Sequence, residues 1–194
     1  NIIIDLRDNA GGQYANAKAV LSALSNKELN VSSDLYITKY FYDTENFKPE
    51  YKFYFDDELG LYKANVSETI NGIAPETKKI YLLISDNTGS AADNFTWDFK
   101  QNKLGTIIGT NNTAGEQKGS VCYNFNEISG IYYSYTPYAA MNSDEGFSSV
   151  WGTAPDVYVN KNIESYFIRT EIQKSGEDPY TYENRLKWDN VLIE

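Results

Sequence analysis

Short apolar runs, each closed by glycine or by a polar loop, alternate along this chain with stretches of helical periodicity. Residues 2–6 are largely β-branched and end in Asn9-Ala10-Gly11-Gly12, the pattern of a buried strand entering a tight turn. Ala17, Val20, Leu21 and Leu24 then recur at i, i+3, i+4 and i+7, which predicts a helix from about Gln13 to Ser25. The same order returns later. Residues 79–84 read as a second buried strand, 85–89 as a loop, and the following stretch to Lys103 as a helix turning Ala92, Phe95 and Phe99 inward.

Residues 106–109 form a third short apolar run. Residues 120–125 and 131–135 read as an antiparallel pair around Ser129-Gly130, so the sheet is expected to be mixed. Residues 34–42 and 51–55 read as strands flanking Asn46-Phe47-Lys48-Pro49, and residues 34–78 as a peripheral insertion in a single domain spanning 1–194. Val157-Tyr158-Val159 follows Ala154-Pro155-Asp156, and the tail from Asn162 is helical with breaks at Ser175-Gly176 and near Pro179. The pattern is that of an α/β domain with a C-terminal helical tail.

Composition narrows the function classes. A net charge of −10, with no basic stripe interleaved with aromatics, argues against a nucleic-acid partner. No apolar run reaches the roughly 20 residues that span a bilayer, so the segment is not expected to be membrane-embedded. The single cysteine, Cys122, reads as a small apolar residue on a strand. The strand-like start at Asn1 reads as a boundary inside a longer protein. The 17 tyrosines and acidic balance suit an extracytoplasmic bacterial protein.

The absence of histidine removes Ser-His-Asp and Cys-His arrangements from this chain and argues against a zinc site, and no cofactor is expected. Lys, Asp and Glu remain as proton acceptors. Ser90 follows the second strand's loop and opens a helix, where first-turn N–H groups favour developing negative charge. A plainer reading is a capping box, Ser90 with Asp93 three residues on. Gly11 and Gly12 lack Cβ atoms at another strand's end, where backbone N–H groups can face a cleft or simply make a turn.

Four blocks in order carry a resemblance. They are Ile3-Ile4-Asp5-Leu6-Arg7-Asp8-Asn9-Ala10-Gly11-Gly12; Gly89-Ser90-Ala91-Ala92-Asp93-Asn94-Phe95; Ile107-Ile108-Gly109 with Thr113-Ala114-Gly115; and Gly152-Thr153-Ala154-Pro155-Asp156. Together they resemble the tail-specific, or C-terminal processing, peptidases of family S41. The resemblance implies a ClpP/crotonase-like fold, a serine peptidase acting on peptides or unfolded protein tails, and Ser90 as nucleophile. It gives Gly11, Gly12 and Ala91 the oxyanion-hole N–H groups, and Asp5 with Arg7 a structural ion pair.

At the base position the chain departs from the family, which places a lysine directly after a Thr-x-Gly motif. Here Glu116 follows Thr113-Ala114-Gly115, and Lys118 lies two residues further on, where Lys-Gly-Ser-Val resembles the family's catalytic lysine and its next three residues. A two-residue insertion makes Lys118 the base, and an ungapped match puts Glu116 there. A second branch, resembling the tricorn core peptidase, draws a histidine from a segment before the first strand and an acid shortly before the Gly-x-x-Pro-Asp block. Ser148 to Trp151 fill that stretch here, and Glu145 lies earlier. The rival to an enzyme is a pseudopeptidase that keeps the fold and binds peptides.

Overall fold

The computed structural model describes residues 1–43, 51–76, 78–115, 122–135, 139–141, 151–160 and 163–193. Its strands are β1 (Ile2–Asp5), β2 (Leu29–Thr38), β3 (Tyr54–Asp56), β4 (Leu61–Ile70), β5 (Ile80–Ile84), β6 (Thr106–Gly109), β7 (Cys122–Asn126), β8 (Ile131–Tyr135), β9 (Ala139–Met141) and β10 (Val157–Tyr158). Its helices are α1 (Tyr14–Leu24), α2 (Lys39–Tyr42), α3 (Ala91–Gln101), α4 (Ile163–Lys174), α5 (Tyr182–Trp188) and α6 (Asn190–Ile193).

A parallel sheet runs β1-β5-β6-β10, with Ile2 opposite Ile80 and Ile84 opposite Gly109. Its strands therefore all end at one edge, where the loops after β1, β5 and β6 meet. The apolar stripes of α1 and α3 cover one face: Leu21, Phe95 and Phe99 pack with Ile80, Leu82, Ile84 and Ile107. Leu29 and Val31 of β2 join this cluster. On the other face Leu83, Ile108 and Val159 pack against Val191 of α6. The Tyr14 hydroxyl donates to the Asp98 carboxylate at 2.5 Å, tying α1 to α3.

Parallel and antiparallel strands both occur, as expected, but in separate ladders. The antiparallel sheet β3-β4-β2-β9 has its own cluster around Leu35, Ile37, Phe53, Ala64 and Ala140. β7 and β8 form a two-stranded ribbon whose turn includes Gly130 at φ +69°, a conformation open to glycine. Among the described residues no helix is long and apolar enough to cross a membrane.

Several local expectations change. β1 is an edge strand and Ile3 is 50% exposed, because the apolar cover contributed by α6 packs on β5 and β6 instead. Residues 34–42 are not one strand. β2 starts at Leu29, pairs along its length with β4, and stops at Thr38, whose hydroxyl accepts the Phe41 N–H at 3.4 Å and caps α2. The α3 helix ends at Gln101, before Lys103, which has left-handed φ of +51°. The tail breaks where predicted, between α4 and α5, with Gly176 at φ +85°. The loop residues 46–49, and the side chain of Cys122, lie outside what is described.

Candidate active site

Side-chain and backbone bonds fasten together the three loops at the carboxyl edge of the parallel sheet. The Thr88 hydroxyl donates to the Leu6 carbonyl at 2.7 Å, the Ser85 hydroxyl donates to the Arg7 carbonyl, and the Gly89 N–H donates to the Asn9 carbonyl at 3.1 Å. The loop after β6 joins them: Ala114 N–H reaches the Thr88 carbonyl at 2.7 Å, and Ser90 N–H reaches the Gly115 carbonyl at 3.0 Å. Ser90 is thus brought beside both the glycine turn and the Thr113-Ala114-Gly115 segment, although these lie far apart in sequence.

Ser90 adopts φ 54° and ψ −125° at the N-cap of α3 and makes no side-chain cap bond. A left-handed φ at a residue with a Cβ costs on the order of 1–3 kcal/mol and persists only where surrounding bonds enforce it. The capping-box reading therefore fails, since the Ser90 hydroxyl has no partner among the described residues and is half-buried rather than sealed. Gly11 packs directly against it. A Cβ built on Gly11, whose φ is +110°, would stand 2.6 Å from Ser90 Cβ and 3.0 Å from Ala91 N, so no larger residue fits.

The three predicted oxyanion donors differ. Ala91 N–H is the first amide of α3 and, like Gly12 N–H, has no partner among the described residues. Gly11 N–H instead donates to Asn9 Oδ1 at 2.9 Å. Sequence reasoning missed this role of Asn9. The signal was present, because Asn two residues before a glycine turn commonly accepts the backbone N–H at that position.

Asp93 does not complete a capping box. It is fully buried and its Oδ1 accepts the Thr113 hydroxyl and, at 2.8 Å, the Thr153 hydroxyl. Thr153 N–H donates to Thr113 Oγ1 at 2.6 Å, and Thr113 N–H to the Thr153 carbonyl at 3.1 Å. This carboxylate pins the loops after β6 and before β10 to the start of α3, and so fixes Gly115 against Ser90. We predict that Asp93→Ala, which leaves two buried hydroxyls without their acceptor, lowers stability by about 2–4 kcal/mol. Calorimetry of the full-length protein should show a melting temperature lower by roughly 5–15 °C; a change under about 2 °C would contradict this role.

The expected Asp5–Arg7 pair forms, with Arg7 Nη2 at 2.7 Å from Asp5 Oδ2. Burial works against the Arg7 charge, but bonds to Asp5 and Asp189 outweigh it and raise its pKa. Between α1 and α3 lies a pocket of about 350 Å³ lined by Leu6, Ala17, Val20, Ala92 and Phe95 together with Gly11, Gly12 and Ala91. Glu116 and Lys118, the candidate bases, lie outside the described residues, as does Glu145. Among the described residues no group of His, Cys, Asp and Glu could hold a metal ion.

The model of peptidase family S41 matches residues 1–159. No curated protein sequence matches the chain. Among solved structures, a protein from Parabacteroides merdae is similar with a TM-score of 0.62 and 16% identity, over 91% of this chain and 48% of that one. Mature CPAF complexed with lactacystin gives a TM-score of 0.60 and 22% identity, over 80% of this chain and 38% of that one. The photosystem II D1 C-terminal processing protease gives 0.50 and 18% over 81% and 34%. The chain spans about half the length, or less, of these proteins. At such identities the likeness is one of fold.

Proposed function

The chain belongs to peptidase family S41, a family of serine hydrolases, and we propose that it forms the catalytic core of a serine peptidase with Ser90 as its nucleophile. The observation that carries this reading is the positive φ of Ser90 at the start of a well-packed helix, with Gly11 pressed against its Cβ. That arrangement presents a hydroxyl at a strand-to-helix turn beside backbone N–H groups, the geometry that acyl transfer requires.

In the proposed reaction Ser90 Oγ attacks a peptide carbonyl carbon while a base takes its proton. The tetrahedral oxyanion is held by Ala91 N–H and Gly12 N–H, and by Gly11 N–H if Asn9 rotates away. Collapse breaks the C–N bond, the protonated base gives its proton to the leaving amine, and water then hydrolyses the acyl-enzyme. Lys118 is the base in this scheme. In sequence it follows by three residues Gly115, whose carbonyl accepts the Ser90 N–H. Peptides and unfolded protein tails are the proposed substrates.

The apolar pocket beside Gly11, Gly12 and Ala91 suits an apolar substrate side chain next to the scissile bond. Filling it by Ala17→Phe should reduce kcat/KM for peptides with a large apolar residue there by about tenfold or more, since one misfitted methylene or two is worth roughly 10–200-fold. Peptides with glycine at that position should be much less affected. Kinetics on paired peptides decide: an equal loss for both would remove the pocket from substrate selection.

A further inference from the structure

Resting on the peptidase reading, we infer that Arg169 anchors a carboxylate of the bound peptide in a cleft between the sheet's carboxyl edge and the C-terminal helices. This cleft, of about 1170 Å³, is lined on one side by the loops after β1 and β5 and on the other by residues of α4 and α5. Asn9 lines both this cleft and the apolar pocket beside Gly11, so a peptide leaving the catalytic turn can continue into it. Tyr166, Tyr180 and Trp188 give its helical side aromatic walls.

Three arginines line the cleft, and two are committed. Arg7 donates to Asp5 Oδ1 at 2.9 Å and Oδ2 at 2.7 Å and to Asp189 at 2.5 Å. Arg185 donates to Asp5 at 2.5 Å and to Asp189 Oδ2 at 2.9 and 3.1 Å. These four groups neutralise one another. Arg169 differs, since among the described residues it contacts no carboxylate; its guanidinium lies over Tyr166 and Trp188, with the central carbon 5.5 and 5.7 Å from the ring centroids.

Stacking on rings orients a guanidinium while leaving its N–H fork available, and that fork matches a carboxylate bidentately. The Trp188 platform is itself held, because its ring N–H donates to the Pro179 carbonyl at 2.9 Å and Tyr180 meets it edge-on at 6.1 Å. In a chain of net charge −10, such a cation does not serve general anion attraction; it selects locally. Asp8 and Asp86 line the cleft from the loop side. They repel a carboxylate placed near the catalytic turn and favour one placed at the helices, so the cleft also sets the peptide's direction.

The test uses full-length protein carrying Ser90→Ala, so that binding is read without turnover, and fluorescence anisotropy of labelled, randomised heptapeptide pools. One pair of pools ends in a free carboxylate or an amide; a second, amidated pair contains Glu or Gln. At least one carboxylate pool should bind about tenfold tighter than its neutral partner, and which one separates a terminal from a side-chain carboxylate. Arg169→Gln should erase that difference with neutral pools unchanged, and Arg169→Lys should keep part of it. Equal binding within both pairs, a difference that survives Arg169→Gln, or no binding by any pool would overturn the inference. Failure of the peptidase reading appears separately, as no hydrolysis by the parent protein while carboxylate-dependent binding persists.

Discussion

Full-length protein carrying Ser90→Ala should hydrolyse an unfolded substrate at least about a thousandfold more slowly than the parent, with its melting temperature unchanged. Alanine keeps the Cβ that packs against Gly11 and removes only an oxygen that has no partner among the described residues, so little stability depends on it. What disappears is the acyl-enzyme route. Whatever rate remains must come from water attacking a carbonyl held by the amides of Gly12 and Ala91. Progress curves with an unfolded protein substrate measure the loss, and hydrolysis by Ser90→Ala at the parent rate would remove Ser90 from the chemistry.

The second large effect concerns the base. Lys118→Ala in the full-length protein should lower kcat by at least about a hundredfold, the usual range for a positioned proton acceptor. A lysine acts as a base only when neutral, so its pKa must fall from about 10.4, and activity should rise with pH through the lowered value. Glu116 opposes that fall, since a nearby carboxylate favours the ammonium form. Glu116→Gln should therefore move the rising limb of the pH–rate profile to lower pH. The sign discriminates between the candidates. If Glu116 is itself the base, Glu116→Gln abolishes activity and Lys118→Ala matters little; if a histidine upstream of Asn1 is the base, both variants remain active.

The parallel sheet and its two covering helices were legible because each has a strong apolar period closed by glycine or a polar loop. β4 was not, since only Ala64 of its ten residues is fully buried and its alternation is diluted by Lys63, Asn65 and Glu68. Burial of β1 was overestimated for a related reason, as a β-branched run does not say which sheet position it takes, and the edge leaves Ile3 in solvent. Ser90-x-x-Asp93 was ambiguous because a helix start has one local pattern and two uses. The partners that decided it, Thr113 and Thr153, lie 20 and 60 residues from Asp93. The ion pair between Arg7 and Asp189 spans 182 residues and could be read from neither end. The juxtaposition of Ser90 with Gly11 was legible from their places after two apolar strands, whose carboxyl ends form the usual site crevice, and from the motif blocks, while nothing in local periodicity relates residues so distant.

The assignment of Ser90 can be tested without knowing a substrate. Full-length protein incubated with a fluorophosphonate probe should gain the mass of one adduct, mapped by peptide sequencing to Ser90 and absent from Ser90→Ala. Labelling should depend on the amides of Ala91 and the glycine turn as well as on the hydroxyl, so Gly11→Ala, whose Cβ would stand 2.6 Å from Ser90 Cβ, should label at least about tenfold more slowly. A full-length protein that gains no adduct, or an adduct on another residue that persists in Ser90→Ala, would contradict the account.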